Sequence, residues 1–232
     1  GVAAGDIVAV DLPAGMQVLF AFALVHAGAV SATVGVKNSP DGVEWDWWIT
    51  SQNGSTGPTR NVVIVDNQFL IAAAGLATTA EPAELSPESV CRIALTSGTT
   101  GRPKAVALTV EMVDHRATEA AKLLNNGSPF LCTLGLATTS GFHTLLACTR
   151  AGLPYFAPSN GAGNRSLIEK FGVTAIKASP QQIADIVAAV GGTRLDSLRA
   201  VYSAGGKLSQ AIVESIRRIS DARVVNLYGS SE

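Results

Sequence analysis

The sequence predicts an α/β fold of mostly parallel sheets covered by helices on both faces. Three observations predict it. Short apolar runs that read as strands alternate with longer segments of helical spacing, the rhythm of βαβ units. The strand-like runs are apolar almost throughout, as parallel strands buried on both faces tend to be. The composition, 47% apolar and 15% charged over 232 residues, can fill the core such sheets need.

Taken in order, DIVAVDL (6–12) reads as a strand. Pro13 and Gly15 interrupt it, and MQVLFAFALVHAG (16–28) reads as a buried helix. AVSATVGV (29–36) is a second strand. Residues 37–60, rich in Gly, Ser, Asn, Asp and Pro, read as a loop holding an aromatic knot, EWDWWIT (44–50). The tryptophans Trp45, Trp47 and Trp48 are expected to be core beneath that loop. NVVIVD (61–66) is a strand, and ATTAEPAELSPES (77–89) reads as a surface linker. VCRIALT (90–96) and AVALT (105–109) are strands flanking a polar loop, and VEMVDHRATEAAKLL begins a helix over 110–125.

The second half is stricter. Strands are expected at 129–135, 153–158, 173–179, 198–205 and 223–229. Helices fall between them at 140–152, 165–172, 180–191 and 208–220. Gly172 ends one helix, and Pro180 occupies the first turn of the next. The chain divides into a first α/β subdomain, 1–126, carrying the polar loop, and a second, 127–232. No internal repeat is present.

Several function classes drop out. Net charge is −1 with no basic stripe, so duplex nucleic acid is not an expected partner. The longest near-apolar run, 18–30, is too short to span a bilayer, which takes ~20 residues. The start, GVAAGDIVAV, has no basic head or cleavage pattern, and it lacks an initiator methionine, as a trimmed chain would. Cys91, Cys132 and Cys148 are odd in number and far apart, which favours core thiols in a reducing, cytoplasmic setting over a disulfide frame or zinc site.

In parallel α/β sheets ligands gather where loops leave the strands' carboxyl ends. The loop TSGTTGRPK (96–104) is the richest of these. Gly98 and Gly101 permit close backbone approach, and Thr96, Ser97, Thr99 and Thr100 supply four hydroxyls. Amides in such a turn can form an anion nest, and Lys104 adds a cation. The sum is a phosphate cradle. It is not a Walker A loop, whose lysine directly follows its second glycine.

The order of residues in LTSGTTGRPKA resembles the phosphate-binding loop of the adenylate-forming superfamily, roughly [YT]-[ST]-S-G-[ST]-T-G-x-P-K-G, with Ala105 in place of the final glycine. That superfamily comprises acyl- and aryl-CoA synthetases, peptide-synthetase adenylation domains and luciferases. Two further segments agree: GDIVAVDLPAGMQVLFAFALVHAGAV (5–30) near the start, and SAGGKLS (203–209) followed by YGSSE (228–232) at the end.

The resemblance implies two doubly wound, mostly parallel sheets like those of an acyl-CoA synthetase N-terminal domain, incomplete at both ends. It implies an ATP-dependent, Mg²⁺-requiring ligase that activates a carboxylic acid as acyl-AMP. The acyl group then passes to coenzyme A or a carrier's pantetheine, with fatty-acid metabolism as one setting. It assigns Thr96, Ser97, Thr99, Thr100 and Lys104, with Gly98 and Gly101, to the β- and γ-phosphates. Tyr228 would stack on adenine, and Gly205, Gly206 and Lys207 would line the adenine and acyl pocket. Ser231, where the family has threonine, would reach the α-phosphate, and Glu232 would bind Mg²⁺ through a hard carboxylate oxygen.

The chain also departs from the family. Thr138 stands where a histidine is expected and Ala137 where an aromatic is common, while His143 falls in the following helix as a packed residue. The family continues past the YGxTE motif to a ribose-binding aspartate and a C-terminal domain with a catalytic lysine. A piece ending at Glu232 is therefore expected to be inactive alone. Two alternatives stand beside the CoA ligase: a catalytically inactive homologous scaffold that binds acyl groups or nucleotide, and a peptide-synthetase adenylation domain. Open sheet edges would allow homo-oligomers.

Overall fold

The computed structural model describes residues 1–232 except 35–39, 41, 53–58, 77–80, 97–103, 125–128, 157–158 and 230–232. The described residues form two compact units. One holds Gly1–Asp114 and Leu136–Thr139; the other runs from His115 to Gly135 and from Ser140 onward.

The first unit carries a sheet of β1 (Ile7–Asp11), β2 (Val30–Thr33), β3 (Trp47–Thr50), β4 (Val62–Ile64), β5 (Val90–Thr96) and β6 (Lys104–Thr109), in the order β4-β3-β1-β2-β5-β6. Every pairing is parallel except β5 with β6. β1 reads as an unbroken apolar run because both its faces are covered. Val8 and Val10 pack with Leu24 of α1 (Ala14–His26), whereas Ala9 packs with Ala32, Trp48 and Ile93.

Two expectations fail here. The aromatic knot is a strand, β3, and not loop, because Trp48 and Ile49 bury on opposite faces of the sheet. Trp45 and Trp48 are core as expected, while Trp47 is half-buried and its indole N–H donates to the Asp6 carboxylate at 2.9 Å. A further helix, α2 (Asn67–Ala74), has no sequence expectation. Asp66 caps it by accepting the Phe69 N–H at 2.8 Å, and none of its side chains is fully buried. Of the expected linker, 77–80 lie outside the described residues. The remainder, 81–89, forms neither helix nor strand and is tied back by the Ala83 N–H to the His26 carbonyl at 2.8 Å.

α3 (Val110–Ala121) leads into the second unit. There β7 (Phe130–Cys132), β8 (Tyr155–Phe156), β9 (Ala175–Ala178), β10 (Ala200–Ala204) and β11 (Arg223–Leu227) make an all-parallel sheet, ordered β11-β10-β9-β7-β8. The crossovers are α4 (Thr139–Arg150), α5 (Gly161–Phe171), α6 (Pro180–Val190) and α7 (Gln210–Ile219). Ile168, Ile183, Ile186, Ile216 and Ile219 from α5, α6 and α7 cover one face, against Leu131, Ile176 and Val201. Cys148 of α4 and Leu123 and Leu124 cover the other, against Phe130, Cys132 and Tyr202.

Helix ends follow local chemistry. Ser179 and Gln182 form a capping box at α6, with Pro180 at its first position. Gly172 and Gly191 close α5 and α6 in the left-handed conformation, at φ 59° and 62°. α5 starts at Gly161, ahead of the expected 165. Asn160 accepts the Gly163 N–H at 2.8 Å, and a Cβ on Gly161 would stand 2.6 Å from the Asp185 carbonyl oxygen. The glycines that look like loop are what let α5 approach α6. Gly141 does the same for α4: a Cβ there would collide with the carbonyl oxygens of Leu134 and Gly135.

After β7 the chain first adds β8 on one side, then crosses to add β9 on the other. The β7–β9 boundary is thus a topological switch point, the kind of place where open α/β sheets take ligands.

Candidate functional site

Thr96 and Lys104 are register partners at the ends of β5 and β6, so the two ends of the glycine–hydroxyl segment stand side by side. Lys104 is exposed and Thr96 half-buried. Ser97, Gly98, Thr99, Thr100 and Gly101 lie outside the described residues, as do Ser231 and Glu232.

Behind this hairpin sits Arg92, which sequence reasoning passed over. It is 2% exposed. Its guanidinium donates to Ser31 Oγ at 3.1 Å and Thr33 Oγ1 at 2.8 Å, and also to the Leu136 carbonyl. Burial lowers its pKa to about 10, which still leaves it charged at neutral pH. It ties β5 to β2 and to the 136–139 segment. A single arginine inside the apolar run VCRIALT was the available signal.

In the second unit, Ala204 and Leu227 are the last register partners of β10 and β11. Gly205 and Tyr228 follow them directly, so the structure brings these two expected residues to adjacent strand ends. Gly205 has φ 81°, a conformation side chains rarely adopt, and the Tyr228 ring is fully exposed. A Cβ on Gly206 would lie 3.4 Å from the ring of Pro180, at the start of α6. Lys207 is exposed. This edge offers an open, glycine-lined platform beside an aromatic face, which suits a stacked heteroaromatic ring.

At the switch point the side-chain amide of Gln182 donates to the Thr133 carbonyl at 2.8 Å, and its Oε1 accepts from the Ser179 N–H at 2.9 Å and the Thr133 hydroxyl at 3.0 Å. These bonds hold the exits of β7 and β9 together. One residue inside the β9 exit stands Lys177, 5% exposed, beside its register partner Cys132. Its ammonium donates to Thr144 Oγ1 at 3.2 Å, and that hydroxyl donates onward to the Ser140 carbonyl at 2.7 Å. Burial lowers the Lys177 pKa, an effect partly opposed by the Cys132 and Cys148 thiols. Burial raises both thiols, Cys148 to about 11.

Lys177 therefore makes stability depend on pH in a defined direction. Below its lowered folded pKa it is charged in both states and the cost of burial is complete. Between that value and the ordinary lysine pKa the unfolded chain binds more protons, so stability rises with pH. Urea midpoints of the wild type are expected to gain on those of Lys177→Met as pH climbs toward the ordinary lysine pKa of about 10.4. A constant gap would show that the lysine is not desolvated.

No helix among the described residues is long and apolar enough to cross a membrane. Among them no cluster of His, Cys, Asp or Glu is arranged to hold a metal.

Residues 49–232 match the family model described as AMP-binding enzyme. The chain is similar to 4-chlorobenzoate–CoA ligase of Pseudomonas sp. (strain CBS-3), 32% identical over 160 residues, covering 65% of this chain and 30% of that protein. It is similar to 2-succinylbenzoate–CoA ligase of Listeria monocytogenes serotype 4b (strain F2365), 26% identical over 189 residues, covering 75% of this chain and 40% of that one. The chain thus spans less than half the length of either. A long-chain-fatty-acid–CoA ligase structure from Archaeoglobus fulgidus superposes with a TM-score of 0.84 at 18% identity, over 100% of this chain and 54% of that one. The expected architecture, two mostly parallel sheets flanked by helices as in acyl-CoA synthetases, is the one found.

Proposed function

This chain belongs to the AMP-binding enzyme family, and from that membership we propose that it is the large-domain portion of an ATP-dependent acid–thiol ligase. A carboxylate oxygen attacks the α-phosphorus of ATP, the bond to the bridging oxygen breaks, and pyrophosphate leaves. The thiol of coenzyme A, or of a carrier's pantetheine, then attacks the acyl carbonyl and AMP departs.

In this reading Thr96, Ser97, Thr99, Thr100 and Lys104 neutralise the β- and γ-phosphates, where positioning and charge compensation govern the rate. Tyr228 stacks on adenine above the Gly205–Gly206–Lys207 turn. Ser231 reaches the α-phosphate and Glu232 takes Mg²⁺, which would screen the triphosphate. The observation that carries the reading is the pairing of motif residues at strand ends: Thr96 beside Lys104, and Gly205 beside Tyr228. The two curated relatives described above are named as CoA ligases of aromatic acids. An acid with a ring is thus as open to this chain as a fatty acid.

Acid-dependent ATP–pyrophosphate exchange tests the proposal. Exchange with at least one member of a panel of aliphatic, aromatic and amino acids is the expected result. A flat response across the panel, with all proteins folded, would favour the inactive homologous scaffold.

A further inference from the structure

Lys177 is costly where it stands. An ammonium carries three donors, and here, among the described residues, a single hydrogen bond, to Thr144, accompanies two thiols that are weak acceptors. No carboxylate among the described residues pairs with it. Buried charges are ordinarily paired, because unpaired ones lose their hydration without return. The residue is also placed where open α/β sheets take ligands, at the β7–β9 switch point. Above it α4 presents Ser140, Thr144 and Cys148 at four-residue spacing, running from half-buried Ser140 to fully buried Cys148.

Resting on the ligase reading, we propose that Lys177 receives a second anionic group of the acid being activated, so that the preferred substrate is a dicarboxylate. The reacting carboxylate is a poorer partner for this lysine. Its charge is consumed as the anhydride to AMP forms, so a fixed cation there would stabilise the ground state more than the transition state. Lys177 also lies inside the sheet, one residue short of the strand exit, whereas Gly205 and Tyr228 stand beyond their strand ends. A distal carboxylate keeps its charge throughout and can remain seated against the lysine.

Two matched pairs of acids test this in the ATP–pyrophosphate exchange assay: hexanoate against adipate, and benzoate against isophthalate. Wild type is expected to favour the diacid in kcat/KM by about 30-fold in at least one pair, the scale of one charged hydrogen bond. Lys177→Met should erase that preference, keep the KM for ATP, and retain or improve turnover of the monoacid. It should also unfold at a higher temperature than wild type, since a buried charge is removed. Wild-type preference for monoacids overturns the proposal. So does a Lys177→Met variant that loses both classes equally, which would place the lysine on the reacting carboxylate, or one that keeps the diacid preference. Calorimetry with the same four acids, without ATP, separates the two readings. Lysine-dependent diacid binding without exchange would leave this inference standing and defeat the ligase reading. Exchange with monoacids alone would do the reverse, and absence of both exchange and diacid binding would defeat both.

Discussion

Gly141→Ala is expected to destabilise the protein by about 3 kcal/mol, the upper end of the range for overpacked sites. The sign is the informative part. Inside a helix, glycine-to-alanine normally stabilises by roughly 0.5–1 kcal/mol, because the unfolded chain loses freedom. Gly141 is buried in the first turns of α4. The new methyl would press on the carbonyl oxygens of Leu134 and Gly135 and stand 2.9 Å from the Gly135 carbonyl carbon. Those are backbone atoms and cannot rotate aside as a side chain could. Either α4 lifts from the β7 exit or the exit loop shifts, and both disturb the packing of Phe142, Leu145 and Cys148. Gly15, also helical, supplies the control: a Cβ there meets nothing within 4 Å, so Gly15→Ala should hold or raise stability. Urea unfolding of the two variants decides the matter. Equal effects would mean that the close approach at α4 is not real.

Lys104→Ala is expected to lower kcat/KM for ATP–pyrophosphate exchange by about 100-fold, the scale for losing one preorganised contact to developing charge. Lys104 is exposed at the start of an edge strand, so the substitution should leave the fold intact. Its Cα partner Thr96 fixes the base of the glycine–hydroxyl segment, and the family resemblance assigns its ammonium to the phosphates. Lys104→Arg should recover part of the rate, because charge is kept while the geometry changes. Unchanged exchange in the alanine variant, at sub-saturating ATP, would remove Lys104 from the phosphate site.

Much of the second unit was legible because its central strands, β7, β9 and β10, are buried along their whole length. VTAIKAS and LRAVYSAG carry enough apolar residues to be seen, and Ser179, Pro180, Gly172 and Gly191 mark helix ends by their own chemistry. The first unit was harder. The residues of β3 sit in a polar neighbourhood, and only pairing with β1 and β4 reveals them as a strand. α2 buries no side chain completely, so it lacks the one-sided apolar pattern that announces a helix. The antiparallel β6 is an edge strand, with half of its residues exposed.

The site divides in the same way. Order within TSGTTGRPK and YGSSE carries information without any coordinates. Lys177 and Arg92 do not belong to a motif. Each is a lone charge within an apolar strand, and its burial depends on which strands flank it. That becomes visible only once β9 lies between β7 and β10, and β5 beside β2.

The strand order of the second sheet also bears on how the chain folds. β7 and β9 are neighbours in space, yet α4, β8 and α5 are made between them. A ribosome therefore delivers Cys132 long before its partner Lys177, and the β7 edge must wait unpaired on one side. Long-range parallel pairings of this sort slow assembly and leave sticky intermediates in the interval. The same strand order leaves the apolar β7 without its β9 neighbour until 175–178 are made.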